Sequence, residues 1–164
     1  MSEDLLALEN QVCFGLAVAA RSVIALYRPL LEPLSLTHPQ YLVMLALWER
    51  DPRSVKELSE ALQLEPATLS PLLKRLETTG YLERKRSTSD ERTLDVTLTD
   101  SGRALRSEAE RIPHRIVERL GLPVSELETL RSGLHAIIAA ALRTPSENAD
   151  GGNAYGQMSR VASR

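Results

Sequence analysis

Cys13 is the one cysteine in this 164-residue chain. A thiolate is readily oxidised by peroxides, so an unpaired thiol is a candidate redox centre. Asn10, three residues earlier, stands where it would cap a helix. That puts Cys13 in the first turn, where backbone N–H groups and the helix dipole favour the thiolate. The competing reading is a small buried hydrophobe on an apolar helix face, the commonest fate of a free cysteine. The second group with chemical capacity is cationic: Arg84, Lys85 and Arg86 are consecutive and Arg92 follows, in a chain whose net charge is −2. Such a stretch is either a phosphate-binding surface or a solvated hairpin of mixed charge. One cysteine excludes an internal disulfide and a cysteine-rich zinc site. No glycine-rich phosphate loop, metal-ligand cluster or serine–histidine–acid arrangement occurs. His114 and His135, distant from each other and from Cys13, read as surface or interface residues. The chain is therefore expected to be no enzyme and to need no metal or cofactor.

The elements that must position these groups are mainly α, with a small β-hairpin. Cys13, Leu16, Ala17, Ala20, Ile24, Tyr27 and Leu31 recur at spacings of three and four, which predicts a helix with one apolar face, closed by Pro29, Pro33 and the stretch 32–37. Thr37-His38-Pro39 reads as the start of a second, almost wholly apolar helix through Trp48, which should be buried. Ser54 and Glu57 form a capping box for a helix over 55–62. After the turn 63–65, Pro66 sits in the first turn of a helix over 67–79 that Gly80 ends. Two helices so joined make a helix-turn-helix. The period then becomes alternating over 81–86 and 93–98, two strands with a hairpin tip at 87–92. A helix-turn-helix followed by a hairpin is a winged helix. Thr99-Asp100-Ser101-Gly102 starts a helix running through Leu105 and Ile112 toward Leu120, and Pro123 with Ser125 begins a last one ending near Leu142. The stretch 144–164, rich in glycine, serine and asparagine, is expected to be a disordered tail.

A winged helix presents the polar N-terminal side chains of its second helix to base edges in the DNA major groove. Thr68 and Ser70 are the expected base readers, with Lys74 and Arg75 on phosphates. Arg92, at the hairpin tip, would enter the minor groove with Asp90 holding its guanidinium. The chain is 43% hydrophobic but has no run of eighteen apolar residues. Met1-Ser2-Glu3-Asp4 carries acids where a signal peptide carries lysine or arginine. A cytoplasmic protein without membrane contact is expected.

Asp90-Glu91-Arg92-Thr93 through Leu98-Thr99-Asp100-Ser101-Gly102 resembles the wing and following helix start shared by MarR-family regulators. Leu8-Glu9-Asn10-Gln11-Val12-Cys13-Phe14, Tyr27-Arg28-Pro29-Leu30-Leu31, Pro39-Gln40-Tyr41-Leu42, Leu72-Leu73-Lys74-Arg75-Leu76-Glu77 and Arg84-Lys85-Arg86-Ser87 are similar to the organic hydroperoxide resistance regulators, the OhrR branch of that family. The resemblance covers about residues 5 to 143. It implies one winged helix-turn-helix domain over 1–143, with its DNA-binding lobe at about 51–100. Helices at about 5–31 and 103–143 would interlock two subunits into a homodimer on a near-palindromic operator. It further implies a repressor that releases DNA when an organic hydroperoxide oxidises Cys13. A mixed disulfide with a small thiol, or over-oxidation, would follow, since no resolving cysteine exists.

The resemblance makes Tyr27 and His38 partners of Cys13 in the sensor site. Cys13 and Tyr27 are fourteen residues apart, roughly 21 Å along a helix, so they cannot touch within one straight helix. If they share a site, the tyrosine comes from the other subunit. Tyr27 also reads as a core aromatic with its hydroxyl at the rim. His38 stands where the family usually has a second tyrosine and Ala17 where it often has a third. A histidine donates a hydrogen bond to a thiolate, or pairs with it when protonated. Two other functions stay open: a MarR-type repressor released by a small lipophilic or aromatic ligand, with Cys13 structural, and a thiol peroxidase.

Overall fold

A computed structural model describes residues 4–87 and 92–143. Their elements are α1 (Val12–Leu31), α2 (His38–Glu49), β1 (Arg53–Ser54), α3 (Val55–Leu62), α4 (Pro66–Thr79), β2 (Leu82–Arg86), β3 (Leu94–Leu98), α5 (Asp100–Ala104), α6 (Arg106–Ala109), α7 (Ile112–Leu120) and α8 (Val124–Arg143). The chain forms two compact units, 1–119 and 120–164. The expected tail at 144–164 and the hairpin-tip position Asp90 lie outside the described residues.

In the first unit, local signals set the helix ends. Ser54 Oγ accepts from the Glu57 backbone N–H at 3.1 Å, and Glu57 Oε2 accepts from the Ser54 N–H at 2.7 Å, so the capping box opens α3 as expected. At α2, Gln40 Oε1 accepts from the Thr37 N–H at 2.8 Å. Gly80, at φ 87°, ends α4 in the left-handed conformation that a residue without Cβ adopts cheaply.

The strands form an antiparallel sheet in the order β1-β3-β2. Leu82 stands opposite Leu98, Arg84 opposite Val96 and Arg86 opposite Leu94. Leu82, Val96 and Leu98 turn inward onto Leu58 of α3 and Leu69, Leu73 and Leu76 of α4, all essentially buried. Val43, Met44 and Leu47 of α2 are buried as well, as its apolar sequence requires. Each such side chain contributes about 1.5–3 kcal/mol. The two-residue strand β1 was not expected, because so short a segment shows no alternation.

Two expectations need correction. The stretch 100–120 is not one helix. Pro113 has no N–H for the Ala109 carbonyl and its ring crowds it, so the chain breaks between α6 and α7. Leu105 keeps right-handed helical angles (φ −60°, ψ −24°), so α5 runs on into α6 with little deviation. Asn10 does not cap α1. It lies in a 3-10 turn, Leu8–Asn10, and its amide donates to the Asp4 carbonyl at 2.9 Å, leaving at the capping position Gln11, whose side chain donates back to the Leu5 carbonyl and does not cap the helix. One helix-bearing stretch, Val12–Leu34, is long and apolar enough to cross a membrane by length and composition alone, at mean hydropathy 1.4. Arg21, Ser22 and Arg28 interrupt it, so it contains no unbroken run of eighteen apolar residues.

In the same unit α1 buries only Leu31 fully. In the second unit, α8 exposes Leu130, Ile137, Ile138 and Leu142. Two twenty-residue helices with apolar side chains left at the surface have unspent hydrophobic area.

Candidate functional site

α3 and α4 are joined by the turn 63–65, with Gln63 left-handed at φ 51°. Burying Leu69, Leu73 and Leu76 on one side of α4 leaves Ser70, Lys74 and Arg75 exposed on the other. Thr68 is half-buried at the same helix start. The arrangement offers short polar side chains first and cations a turn later.

The wing is tied to this helix. Arg84 of β2 gives its Nη2 and Nε to Glu77 Oε2 at 2.7 and 3.1 Å, and its backbone N–H donates to Glu77 Oε1 at 3.3 Å. Arg84, one of the cations assigned to DNA from sequence, is thus engaged inside the chain and sets the angle between wing and helix. Lys85 pairs with Glu83 at 2.5 Å and is exposed, as are Arg86 and Arg92.

Two of these carboxylates tie stability to pH. Hydrogen bonds from the Ser54 backbone and the Arg50 side chain hold Glu57 at about 2, against an ordinary 4.5. The Arg84 hydrogen bond likewise lowers Glu77. Both are depressed in the folded state, so their contribution is complete above about pH 4.5 and is lost as pH falls toward 2. The urea midpoint should therefore drop across that window, and Glu57→Gln should flatten the drop; an identical pH profile for the variant would contradict this.

Cys13 is exposed and is the second residue of α1. Because no side chain caps α1, the Val12 and Cys13 amides keep their donor capacity, while the Phe14 N–H bonds the Gln11 carbonyl at 3.1 Å. Tyr27 lies on the same unbroken helix, roughly 21 Å further along, so one chain does not bring the two together.

Tyr27 does meet His38, at 5.0 Å between ring centroids in an edge-on arrangement, and Tyr41, at 5.9 Å. Tyr41 stands edge-on to Trp48 at 6.4 Å. Burial lowers the pKa of His38 and raises those of Tyr27 and Tyr41, the last also through Tyr27. Of the two forms considered for His38, its burial favours the neutral imidazole. Tyr41 was missed as a member of this cluster, although its spacing from His38 puts it one turn along the same helix face.

Trp48 is half-buried and not simply core. Its indole N–H donates to the Gly102 carbonyl at 2.8 Å. A Cβ at Gly102 would lie 2.0 Å from the Tyr81 carbonyl oxygen. The Gly102 N–H is accepted by Thr99 Oγ1 at 3.1 Å, and that hydroxyl donates to the Gly80 carbonyl at 2.6 Å. Tyr81 Oη donates to the Leu34 carbonyl at 2.9 Å. Asp51 accepts from the Leu98 N–H at 3.1 Å and pairs with Arg103 at 2.8 Å. The base of the wing is thereby held to Trp48 near the end of α2 and to the segments that precede and follow that helix.

A helix-turn-helix whose second helix exposes hydroxyls and cations, braced by a two-stranded wing, defines a winged-helix DNA-binding regulator. The family description "Transcriptional regulator SarA/Rot" matches residues 25–109. The chain is 41% identical to the organic hydroperoxide resistance transcriptional regulator of Bacillus subtilis over 82% of this chain and 92% of that one. AbfR of Staphylococcus epidermidis, solved reduced on DNA, overoxidised on DNA and with a disulfide formed, superposes in its reduced form with a TM-score of 0.70. That comparison has 33% identity and covers 87% of this chain and 100% of AbfR. BpsR of Bordetella bronchiseptica, whose DNA binding is regulated by 6-hydroxynicotinic acid, is 26% identical over 77% of this chain and 92% of its own, with a TM-score of 0.71. This chain belongs to the MarR/SarA-type transcriptional regulators, which are not enzymes.

Proposed function

We propose that this regulator is a homodimeric, thiol-switched repressor of the cytoplasm that leaves its operator when an organic hydroperoxide oxidises Cys13. The observation that carries the reading is the placement of the reactive groups: Cys13 exposed at the start of α1, and the Tyr27–His38–Tyr41 cluster at its far end. A second copy laid antiparallel along the exposed apolar face of α1 would bring its aromatic cluster to Cys13. Its neutral imidazole and phenol groups could then donate hydrogen bonds to a thiolate. The same packing accounts for the apolar surface of α1 as a subunit interface, and α8, in the second unit, leaves an apolar surface of its own for the same use.

In the chemical step the Cys13 thiolate attacks the terminal peroxide oxygen. The O–O bond breaks, the alkoxide leaves and takes a proton from water to become the alcohol, and the sulfur, having given two electrons to the peroxide, carries the transferred hydroxyl as a sulfenic acid. A small thiol then displaces water to give the mixed disulfide. The redox forms in which AbfR has been solved support a redox reading here.

A second reading rests on a cleft of about 420 Å3 lined by Tyr41, Leu45, Trp48, Ala109 and Pro113, with Glu49, Arg106 and Glu110 also on its walls. It would take a small aromatic ligand, with Cys13 structural.

Fluorescence anisotropy on the protein's own upstream DNA tests the proposal. Addition of cumene hydroperoxide with free cysteine should weaken binding, whereas tight binding indifferent to both would leave the ligand-released repressor. For the DNA surface, Thr68 and Ser70 read bases, Lys74, Arg75, Lys85 and Arg86 hold phosphates, and Arg92 reaches the minor groove beside Asp90. Arg92→Ala should cost roughly 1–3 kcal/mol of operator affinity. Unchanged affinity at moderate salt would remove the wing tip from the interface.

A further inference from the structure

Trp48 is the residue through which the state of the sensor cluster reaches the DNA-binding elements, as we infer from its two attachments. On one side its ring stands edge-on to Tyr41, which touches Tyr27, which in turn touches His38. On the other its indole N–H is bonded at 2.8 Å to the carbonyl of Gly102, fifty-four residues away in sequence. Gly102 lies where three DNA-binding parts converge. Its α-carbon is pressed against the Tyr81 carbonyl at the root of β2, and the Leu98 side chain at the end of β3 would be 3.2 Å from an added Cβ. Its N–H bonds Thr99 Oγ1, whose hydroxyl hydrogen goes to Gly80, the residue that terminates α4.

This contact cannot slide. A backbone atom stacked on a backbone atom has no flexible side chain to absorb displacement, so movement of the Gly102 carbonyl must move Tyr81 or break a bond. The C-terminal end of α2 and the root of the wing therefore shift together while the indole bond holds. Ahead of α2, in the segment that joins it to α1, the wing is tied by the bond from Tyr81 Oη to the Leu34 carbonyl. Asp51, just past α2, adds a third tie through the Leu98 N–H and Arg103; neither of these bonds involves a ring of the aromatic cluster, whereas Trp48 touches the cluster directly. Trp48 is thus a positioning residue: it touches neither DNA nor the thiol and acts through Gly102.

The inference rests on the thiol-switch reading, and the experiment separates the two. Trp48→Phe keeps a ring against Tyr41 but removes the N–H donor. Operator affinity is measured for wild type and variant, each reduced and each treated with cumene hydroperoxide and cysteine, while Cys13 oxidation is followed by intact mass. Wild type and variant should oxidise alike, and the ratio of reduced to oxidised affinity should shrink several-fold, up to about tenfold, in the variant. That is the scale of one part-buried hydrogen bond. Affinity weakened equally in both states, with the ratio intact, would mean Trp48 is merely structural and would overturn the inference. A wild type that oxidises at Cys13 and keeps its operator would sink the thiol-switch reading itself, and this inference with it. A second measurement does not depend on the variant folding. Trp48 is the sole tryptophan, so the intrinsic emission of the wild type should shift in wavelength on oxidation; a constant spectrum while DNA is released would equally overturn the inference.

Discussion

Cys13→Ser should bind operator within about twofold of wild type and lose all response to cumene hydroperoxide. Serine is close in size to cysteine and Cys13 is exposed, so no core packing is disturbed. The residue also lies at the opposite end of the chain's first helix from the DNA-binding elements. What disappears is the two-electron chemistry, because a hydroxyl is not oxidised by a peroxide under conditions that oxidise a thiolate. In the wild type the oxidised and reduced dimers should differ in affinity by about 5- to 150-fold, the range of coupling energies between distant sites. The variant should show a ratio of one. A Cys13→Ser protein that still released DNA under peroxide would shift the signal elsewhere, and the cleft beside Tyr41 and Trp48 would become the first place to look.

Gly102→Ala should produce the largest loss of stability of any single methyl addition considered. The added Cβ would sit 2.0 Å from the Tyr81 carbonyl oxygen and 3.0 Å from its carbon. Neither is the end of a flexible side chain, so relief requires α5 to back away from β2. That movement would stretch the Trp48–Gly102 and Thr99–Gly102 bonds together. Overpacking against backbone with two hydrogen bonds strained should cost about 3 kcal/mol or more. Urea unfolding of Gly102→Ala beside Ser101→Ala, an exposed neighbour expected within about 0.5 kcal/mol of wild type, measures it. Equal midpoints for the two variants would show that the junction yields, and would weaken the argument for a rigid link at Trp48 as well.

Much of the fold was legible because its signals are short in range. The period of three and four over 12–31, the Ser54–Glu57 box, Gly80 after α4 and the alternation on either side of the hairpin each act within one or two turns of chain. So does the serial order of helix, turn, helix and wing, from which the DNA-binding surface follows. Where the reading failed, the competing influence was also local but subtler: the 3-10 turn that diverted Asn10 from capping, and Pro113, which divided a helix its apolar spacing would have continued.

The site divides along the same line. The residue types alone determined that this chain has one oxidisable thiol, no metal-binding cysteine set and a concentrated basic stretch. The fourteen-residue spacing determined that Cys13 and Tyr27 of one chain stand apart. Only the tertiary structure decided which groups meet. It gave Arg84 to Glu77, brought Tyr41 to Tyr27, and set the indole of Trp48 on the carbonyl of Gly102. Periodicity and capping report which face a residue occupies. The neighbour facing it across the core depends on how α2, α4 and the wing pack, and that is settled by the fit of side chains distant in sequence, which no local window contains.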